Sequence, residues 1–430
     1  MKKVLRPRIA LLLVAGMLST QPCRALAATG SGLPGTVDIR WNGHFVEVIK
    51  EFNDSTHREM GSLYTKELLR LFPGLETDYD ASIASSMDRQ TYDDRMKKLQ
   101  YLKDQVPEEY REEIAGMASS FSGGTQNVPG DGKLSIDELY YVNLYIDLIM
   151  AGACSAISVY GPLSLSGKNI IARLVDWYPR RDNAVFTIRN GKRSFGNIGR
   201  LLSVMAGTAF NEDGVFAALL AADPTLPVDV QSGPYRSVTM DIRYALENFS
   251  NLEEVADFLR RQKYTFSHQV FLADAKKSAV LENNLLEGGM RALRHANSKL
   301  GDGVDWGFSH AVAAVNTFFL EGNYRGGGVD PRWIHIRNQL AGKLRNSERG
   351  EVGQVTFNEL KEIATYYHRG DPGNSPGSST GDIYNSMTQH IVLFEPDTLY
   401  LEVFFRGASP LPARHPAFTA IPISFSHARD

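Results

Sequence analysis

The sequence predicts an α+β protein, with a helical front segment running into a chain of strands that have helices between and after them. Three observations predict it. Residues from about 57 to 152 read mainly as helix. The texture turns to strand at Cys154. That turning point is also the single cysteine left once an export leader is removed.

Taken in order, the chain begins with Lys2, Lys3, Arg6 and Arg8, then the apolar stretch Ile9 to Leu18, then Ala25-Leu26-Ala27. A basic start, a short apolar run and a small-x-small site predict a signal peptide over 1–27 and a mature chain from Ala28. The apolar run, about ten residues, is too short for a bilayer core of about 30 Å. Thr20-Gln21-Pro22 before Cys23 is a poor lipid-attachment site. The expected location is therefore periplasmic or secreted. Residues 28–36 read as a flexible start and 40–52 as strand-like patches. Met60, Leu63, Tyr64, Leu68 and Leu71 lie at helical spacing within 57–72. Residues 92–117 predict one or two helices broken near Pro107, and 119–132 a loop. Ser135 followed by Glu138 gives the capping-box pattern before a helix from about 136 to 150.

From Cys154 the expected strands are 154–160 and 169–177, paired as a hairpin, then 184–189, 202–206, 214–220, 269–273, 278–282 and 311–315. Helices are expected at 241–250, 252–262, 332–345 and 357–367. The pair 390–394 and 399–405 flanks the turn Glu395-Pro396-Asp397-Thr398 and predicts a closing hairpin. Gly370 to Gly381 reads as a loop that borders a pocket. Composition fits a cored globular protein, 43 % hydrophobic and 10 % aromatic. A net charge of −3 with both signs mixed offers no field for nucleic acid or an anionic membrane. No histidine or cysteine cluster has zinc spacing. Asn127 to Glu138 partly resembles a calcium loop, but Pro129 stands at a ligand position. No cofactor or metal is expected.

A lone thiol in an oxidising compartment is a buried bystander, an intermolecular link or a reactive group. A nucleophilic cysteine needs a base. None of the ten histidines sits in a local signature near Cys154, although partners of a papain-like pair meet in space rather than in sequence. The alternative is a base supplied by the nucleophile itself. Cutting Ala153–Cys154 would free an α-amine of ordinary pKa about 7.7–8.0 on the same residue as the thiol. Ala151-Gly152-Ala153 are small enough for the tight backbone such a cut needs.

The residues 152–155 (Gly-Ala-Cys-Ser) and 167–177 (Gly-Lys-Asn-Ile-Ile-Ala-Arg-Leu-Val-Asp-Trp) resemble the start of the mature subunit in cysteine N-terminal-nucleophile (Ntn) hydrolases. The pattern is similar to the acyl-CoA:6-aminopenicillanate acyltransferase-like group (peptidase C45), with acid ceramidase, N-acylethanolamine amidase and the bile-salt hydrolase/penicillin V acylase group as relatives. Phe210 to Val215 resembles that family's Asn-Glu-x-Gly-Leu, and Ala314 to Phe319 its Thr-Asn-His-Phe, without the histidine. Ser386 to Gly407 resembles its closing strands, and His57 to Gly61 its pro-segment. The resemblance implies an Ntn four-layer αββα sandwich over 154–430, preceded by a mainly helical pro-segment, 28–153, that stays bound after cleavage. It implies Cys154 as nucleophile with its own amine as base, Arg173 favouring the thiolate, Asp176 orienting the amine, and Asn316 donating to the oxyanion. Asp223 falls near a further substrate-binding position of the family. The implied reaction is attack on a small-molecule N-acyl amide, an acyl-enzyme, then hydrolysis or acyl transfer.

Each residue also has an ordinary reading. Arg173 and Asp176 fit a surface pair, Asn316 a turn cap, and 211–214 a hairpin turn. Arg173 and Asp176 are three apart, so on a regular strand they point to opposite faces. Both face Cys154 only if Asp176 lies past the strand end or in a bend, and Tyr178-Pro179 just after it favours a strand end there. Leu174 and Thr317 depart from the family pattern and support a rival reading, a non-catalytic binding protein on the same scaffold. A phospholipase-B-like ester hydrolase is the other rival, because Cys154-Ser155-Ala156 also resembles the start of its mature subunit.

Overall fold

The computed structural model describes residues 33–149, 152–177, 180–222, 229–326, 328–345, 353–368, 381–407 and 415–425. The leader, Asp223 and the loop 370–380 lie outside them.

The front segment opens with strands β1 (Thr36–Trp41) and β2 (Val46–Glu51). Five helices follow: α1 (His57–Leu71), α2 (Leu75–Ser86), α3 (Arg89–Lys103), α4 (Glu108–Ala118) and α5 (Ile136–Ile149). A capping box of Thr56 and Glu59 starts α1. The break at Pro107 separates α3 from α4 as expected, since proline is tolerated only at a helix start. At α5 the Ser135 and Glu138 side chains each take the other's backbone N–H, at 2.8 and 3.1 Å. Glu138 also accepts the Tyr92 hydroxyl at 2.6 Å, so this loop's acidic group serves packing.

The second part comprises β3 (Ala153–Val159), β4 (Ile170–Asp176), β5 (Asn183–Arg189), β6 (Phe195–Arg200), β7 (Thr208–Asn211) and β8 (Phe216–Ala221). Next come α6 (Val238–Asn248), α7 (Leu252–Arg261), β9 (His268–Ala273), β10 (Ser278–Asn283), β11 (Arg291–Arg294) and β12 (Ala311–Ala314). It closes with α8 (Pro331–Arg345), α9 (Phe357–Ala364), β13 (Thr388–Glu395), β14 (Tyr400–Phe405) and β15 (Thr419–Ile421). The expected strand at 202–206 is not formed. Its backbone is instead held by α5 and α6: Asn143 Oδ1 accepts from the Val204 N–H at 2.6 Å, and the Ala206 N–H donates to the Thr239 carbonyl. A short apolar run signals burial, and here a side-chain amide replaces the ladder.

Two sheets result. The larger has the order β1-β2-β5-β6-β7-β8-β9-β10-β11 and the smaller β12-β3-β4-β13-β14-β15. Every named pairing is antiparallel except β2 with β5. Alternation along each strand builds four layers. Ile171, Val392, Phe210 and Phe216 meet between the sheets. Ala172, Leu174, Ile391 and Leu393 face Trp333, Ile336 and Leu360 of α8 and α9. The other face of the larger sheet carries α6 and α7 at one end and α1–α5 at the other. The protein is thus an αββα sandwich. The front segment is not purely helical, because β1 and β2 extend the larger sheet.

Candidate active site

Cys154 is the second residue of β3. It faces Val175 on β4, which faces His390 on β13, which faces Phe405 on β14. Residues directly opposed on neighbouring strands share a face, so these four form one row, directed between the sheets. Arg173, two residues before Val175, joins that face. Leu174 points the other way into the α8–α9 core, so its departure from the family pattern does not touch the site.

The Arg173 side chain is only 2 % exposed. Its Nη2 donates to Cys154 Sγ at 3.1 Å and to the Leu219 carbonyl at 2.6 Å, and its Nη1 contacts the Leu174 carbonyl. Among the described residues no carboxylate lies within ion-pair distance of it. Burying a cation costs several kcal/mol unless an anion accompanies it. The Asp176 carboxylate, which feels the Arg173 charge without a direct contact, supplies part of that balance.

Asp176 is the last residue of β4, still within the strand and paired with Ala153 and Thr388, rather than past its end. A register shift between Thr388 and His390 leaves Gln389 as an extra residue opposite this strand end. The Asp176 carboxylate accepts from Thr388 Oγ1 at 2.8 Å, Asn385 Nδ2 at 3.1 Å and Arg332 Nη1 at 3.4 Å. Burial pushes this carboxyl up, opposed by Arg332, Asn385, Thr388 and Arg173.

Asn316 lies just past β12. Its Oδ1 accepts the Cys154 backbone N–H at 2.8 Å, and its Nδ2 donates to the Ala221 carbonyl at 2.7 Å and the Gly152 carbonyl at 3.3 Å. In the intact chain the nitrogen of Cys154 is held by Asn316, whereas Asp176 is linked to the Cys154 carbonyl through Arg332.

Arg332, at the start of α8, was not foreseen. Its Nη1 donates to the Cys154 carbonyl at 3.0 Å and its Nη2 to Asn316 Oδ1 and Asp330 Oδ2, each at 2.8 Å. Burial opposes its charge, but Asp330 and Asp176 raise its pKa overall. Nothing local marks it, because Asp330-Pro331-Arg332 reads only as a helix start. Asn385, Thr388 and His390 were missed for the same reason, Asn385 lying in the turn before β13 and the other two being ordinary strand residues until β13 is paired with β4.

All four residues singled out by sequence thus converge here. The stretch 211–214 does not: Asn211 spends its side chain on the β7–β8 turn, accepting from Asp213 and Val215 and donating to the Leu246 and Phe249 carbonyls. Before the thiol, Gly152 has φ +139°, a conformation that favours glycine. A cavity of about 130 Å³ opens beside Cys154. Its walls include Tyr145 and Ile146 of α5, so the front segment helps to shape it.

No protein-family model and no curated protein matches the sequence. Solved structures do. A Caenorhabditis elegans ortholog of N-acylethanolamine-hydrolyzing acid amidase is 17 % identical, with 56 % of this chain and 93 % of that one covered, at TM-score 0.36. Penicillin V acylase from Agrobacterium tumefaciens is 14 % identical over 62 % and 86 %, at TM-score 0.36. A conjugated bile acid hydrolase from Clostridium perfringens is 13 % identical over 64 % and 100 %, at TM-score 0.36.

Proposed function

We propose that this chain is an exported, self-processing cysteine amidohydrolase of the Ntn class, within the acyltransferase-like group its motifs resemble. The observation that carries the reading is the buried Arg173 guanidinium, without a carboxylate partner among the described residues, donating to Cys154 Sγ. A bystander thiol has no need of a cation aimed at it.

In the first reaction Sγ attacks the Ala153 carbonyl and the peptide bond to Cys154 nitrogen breaks, leaving a thioester. Water then releases residues up to Ala153 as a separate chain. Cys154 now carries a free α-amine at the position where its nitrogen meets Asn316 Oδ1. In the second reaction that amine takes the thiol proton and Sγ adds to the carbonyl of an N-acyl amide. The same proton goes to the departing amine. Water, deprotonated by the α-amine, then cleaves the acyl-enzyme. Arg173 stabilises negative charge on sulfur, and Arg332 fixes Asn316 and the Cys154 carbonyl together, so the nucleophile starts from a held geometry. The residues 28–153 remain attached, because β2 and α5 are built into the sheet and the cavity wall.

Intact mass under denaturing conditions tests this. Purified protein should show two chains, one beginning at Cys154, and Cys154→Ala should remain whole and inactive on N-acyl amides. A whole wild-type chain with an unreactive thiol would favour the binding-protein reading. A cut chain that turns over esters but not amides would favour the phospholipase-B-like one.

A further inference from the structure

Among the described residues, two side chains on the wall of the cavity beside Cys154 have a buried nitrogen without a hydrogen-bond partner, Arg173 at Nε and His390 at Nε2. Arg173 is accounted for by the thiol. His390 is not. It is 8 % exposed, its ring packs on Phe405 with centroids 5.4 Å apart, and nothing in the reaction above uses it.

Among the described residues no hydrogen bond joins it to the thiol, whose donor is Arg173. Cys154 and His390 occupy the same cross-strand row with Val175 between them. Two strand spacings put their Cα atoms roughly 10 Å apart. Burial and the neighbouring Arg173 charge hold its pKa down at about 3, so the ring is neutral at working pH and offers a hydrogen bond rather than a charge. The bulge in β13 turns both Gln389 and His390 onto the cavity, a re-aiming typical of bulges beside sites. Gln389 is already engaged, donating to Asn183 Oδ1 at 2.8 Å and accepting from the Arg180 N–H at 3.1 Å. His390 alone of the pair is left to be satisfied. Buried polar groups are almost always paired, and a buried group without a partner inside a cavity marks what the occupant must bring.

We propose that His390 is a specificity-determining residue of this site, donating from Nε2–H to an oxygen in the acyl group of the substrate a few bonds beyond the scissile carbonyl. The inference rests on the amide-hydrolase reading for its setting. The acyl part is assigned to this cavity because the amine must leave before water enters, whereas the acyl group stays on Sγ. The cavity then selects an acyl chain interrupted by oxygen over a plain hydrocarbon of the same length.

The test compares 4-methoxybutanoyl with hexanoyl, chains of equal length in which an oxygen replaces one methylene. With processed enzyme and the two p-nitroanilides, the kcat/KM ratio should favour the ether at least tenfold. It should fall towards one in His390→Phe, which keeps the ring on Phe405, and be partly restored in His390→Gln. The second arm needs no turnover: calorimetry of the two free acids with the Cys154→Ala chain should show the ether acid binding tighter, with the difference gone when His390→Phe is added. Equal binding of the two acids, or a ratio unchanged by His390→Phe, would overturn the proposal even in an active amidase. Discrimination between the acids in a protein that cleaves no amide would uphold the subsite and sink the enzymatic reading instead.

Discussion

The substitution Glu113→Gln, in α4, tests what holds the front segment to the rest of the chain. Glu113 is fully buried between Lys50 Nζ at 3.0 Å, from β2, and Arg243 Nη2 at 2.8 Å, from α6. Arg243 Nε also pairs with Glu247 at 3.0 Å, so Lys50, Arg243, Glu113 and Glu247 form two cation–anion pairs, with His57 Nδ1 3.4 Å from Glu113 beside them. Burial works to raise the Glu113 carboxyl, yet Arg243 and Lys50 hold it well below the usual range, and burial lowers Lys50. Glutamine keeps the shape and removes one negative charge, leaving one buried cation in excess. Breaking a buried pair from one side costs about 3–5 kcal/mol. A ceiling follows from Lys50 itself: giving up its proton at pH 7, about 3.4 units below its ordinary pKa, costs about 4–5 kcal/mol. The expected loss in Glu113→Gln is therefore about 3–5 kcal/mol. Adding Lys50→Met removes the surplus charge and should recover most of it, because neutral replacement of a buried pair is close to harmless. Guanidinium denaturation on a Cys154→Ala background keeps the chain whole and makes the comparison clean. A loss under about 1 kcal/mol in the single variant, or a double variant no better than it, would refute the charge-balance argument.

Three further outcomes are expected. Asp147, at the end of α5, is pushed by burial from 3.8 up to about 7, and among the described residues its Oδ2 has no hydrogen-bond partner. A raised carboxyl stabilises the fold fully below pH 4 and loses that contribution as pH rises through 7, so wild-type melting temperature should fall from pH 5 to 8 while D147N stays flatter; parallel profiles would exclude the effect. Gly152→Ala forces a side chain onto a backbone at φ +139°, at a cost of order 1–3 kcal/mol, so cutting before Cys154 should slow measurably in a mass time course. An unaltered rate would show that this conformation is not required. Arg332→Lys keeps the charge but not the fork that joins the Cys154 carbonyl to Asn316; amide turnover should fall about 10–100-fold, and a kcat within twofold of wild type would remove Arg332 from the mechanism.

Much of this was legible in one dimension. The capping box at Ser135, the break at Pro107, the hairpin after Cys154 and the closing strand pair are local features, and local chemistry encodes them. The run 202–206 misled because apolar composition reports burial, not which partner takes the backbone hydrogen bonds; Asn143 takes them. The strands β1 and β2 were visible only as patches, and their place beside β5 was not.

The sequence by itself determined the change from helix to strand at Cys154 and the placing of Arg173 and Asp176 on the strand paired with it, because these are features of one local hairpin. The tertiary structure alone decided the rest of the site. Arg332 reaches Cys154 across 178 residues, Asn385 and Thr388 reach Asp176 across more than 200, and His390 enters the cavity through a bulge. Such contacts are fixed by which strands and helices pack together, a property of the whole hydrophobic pattern and not of any spacing around the residues that make them.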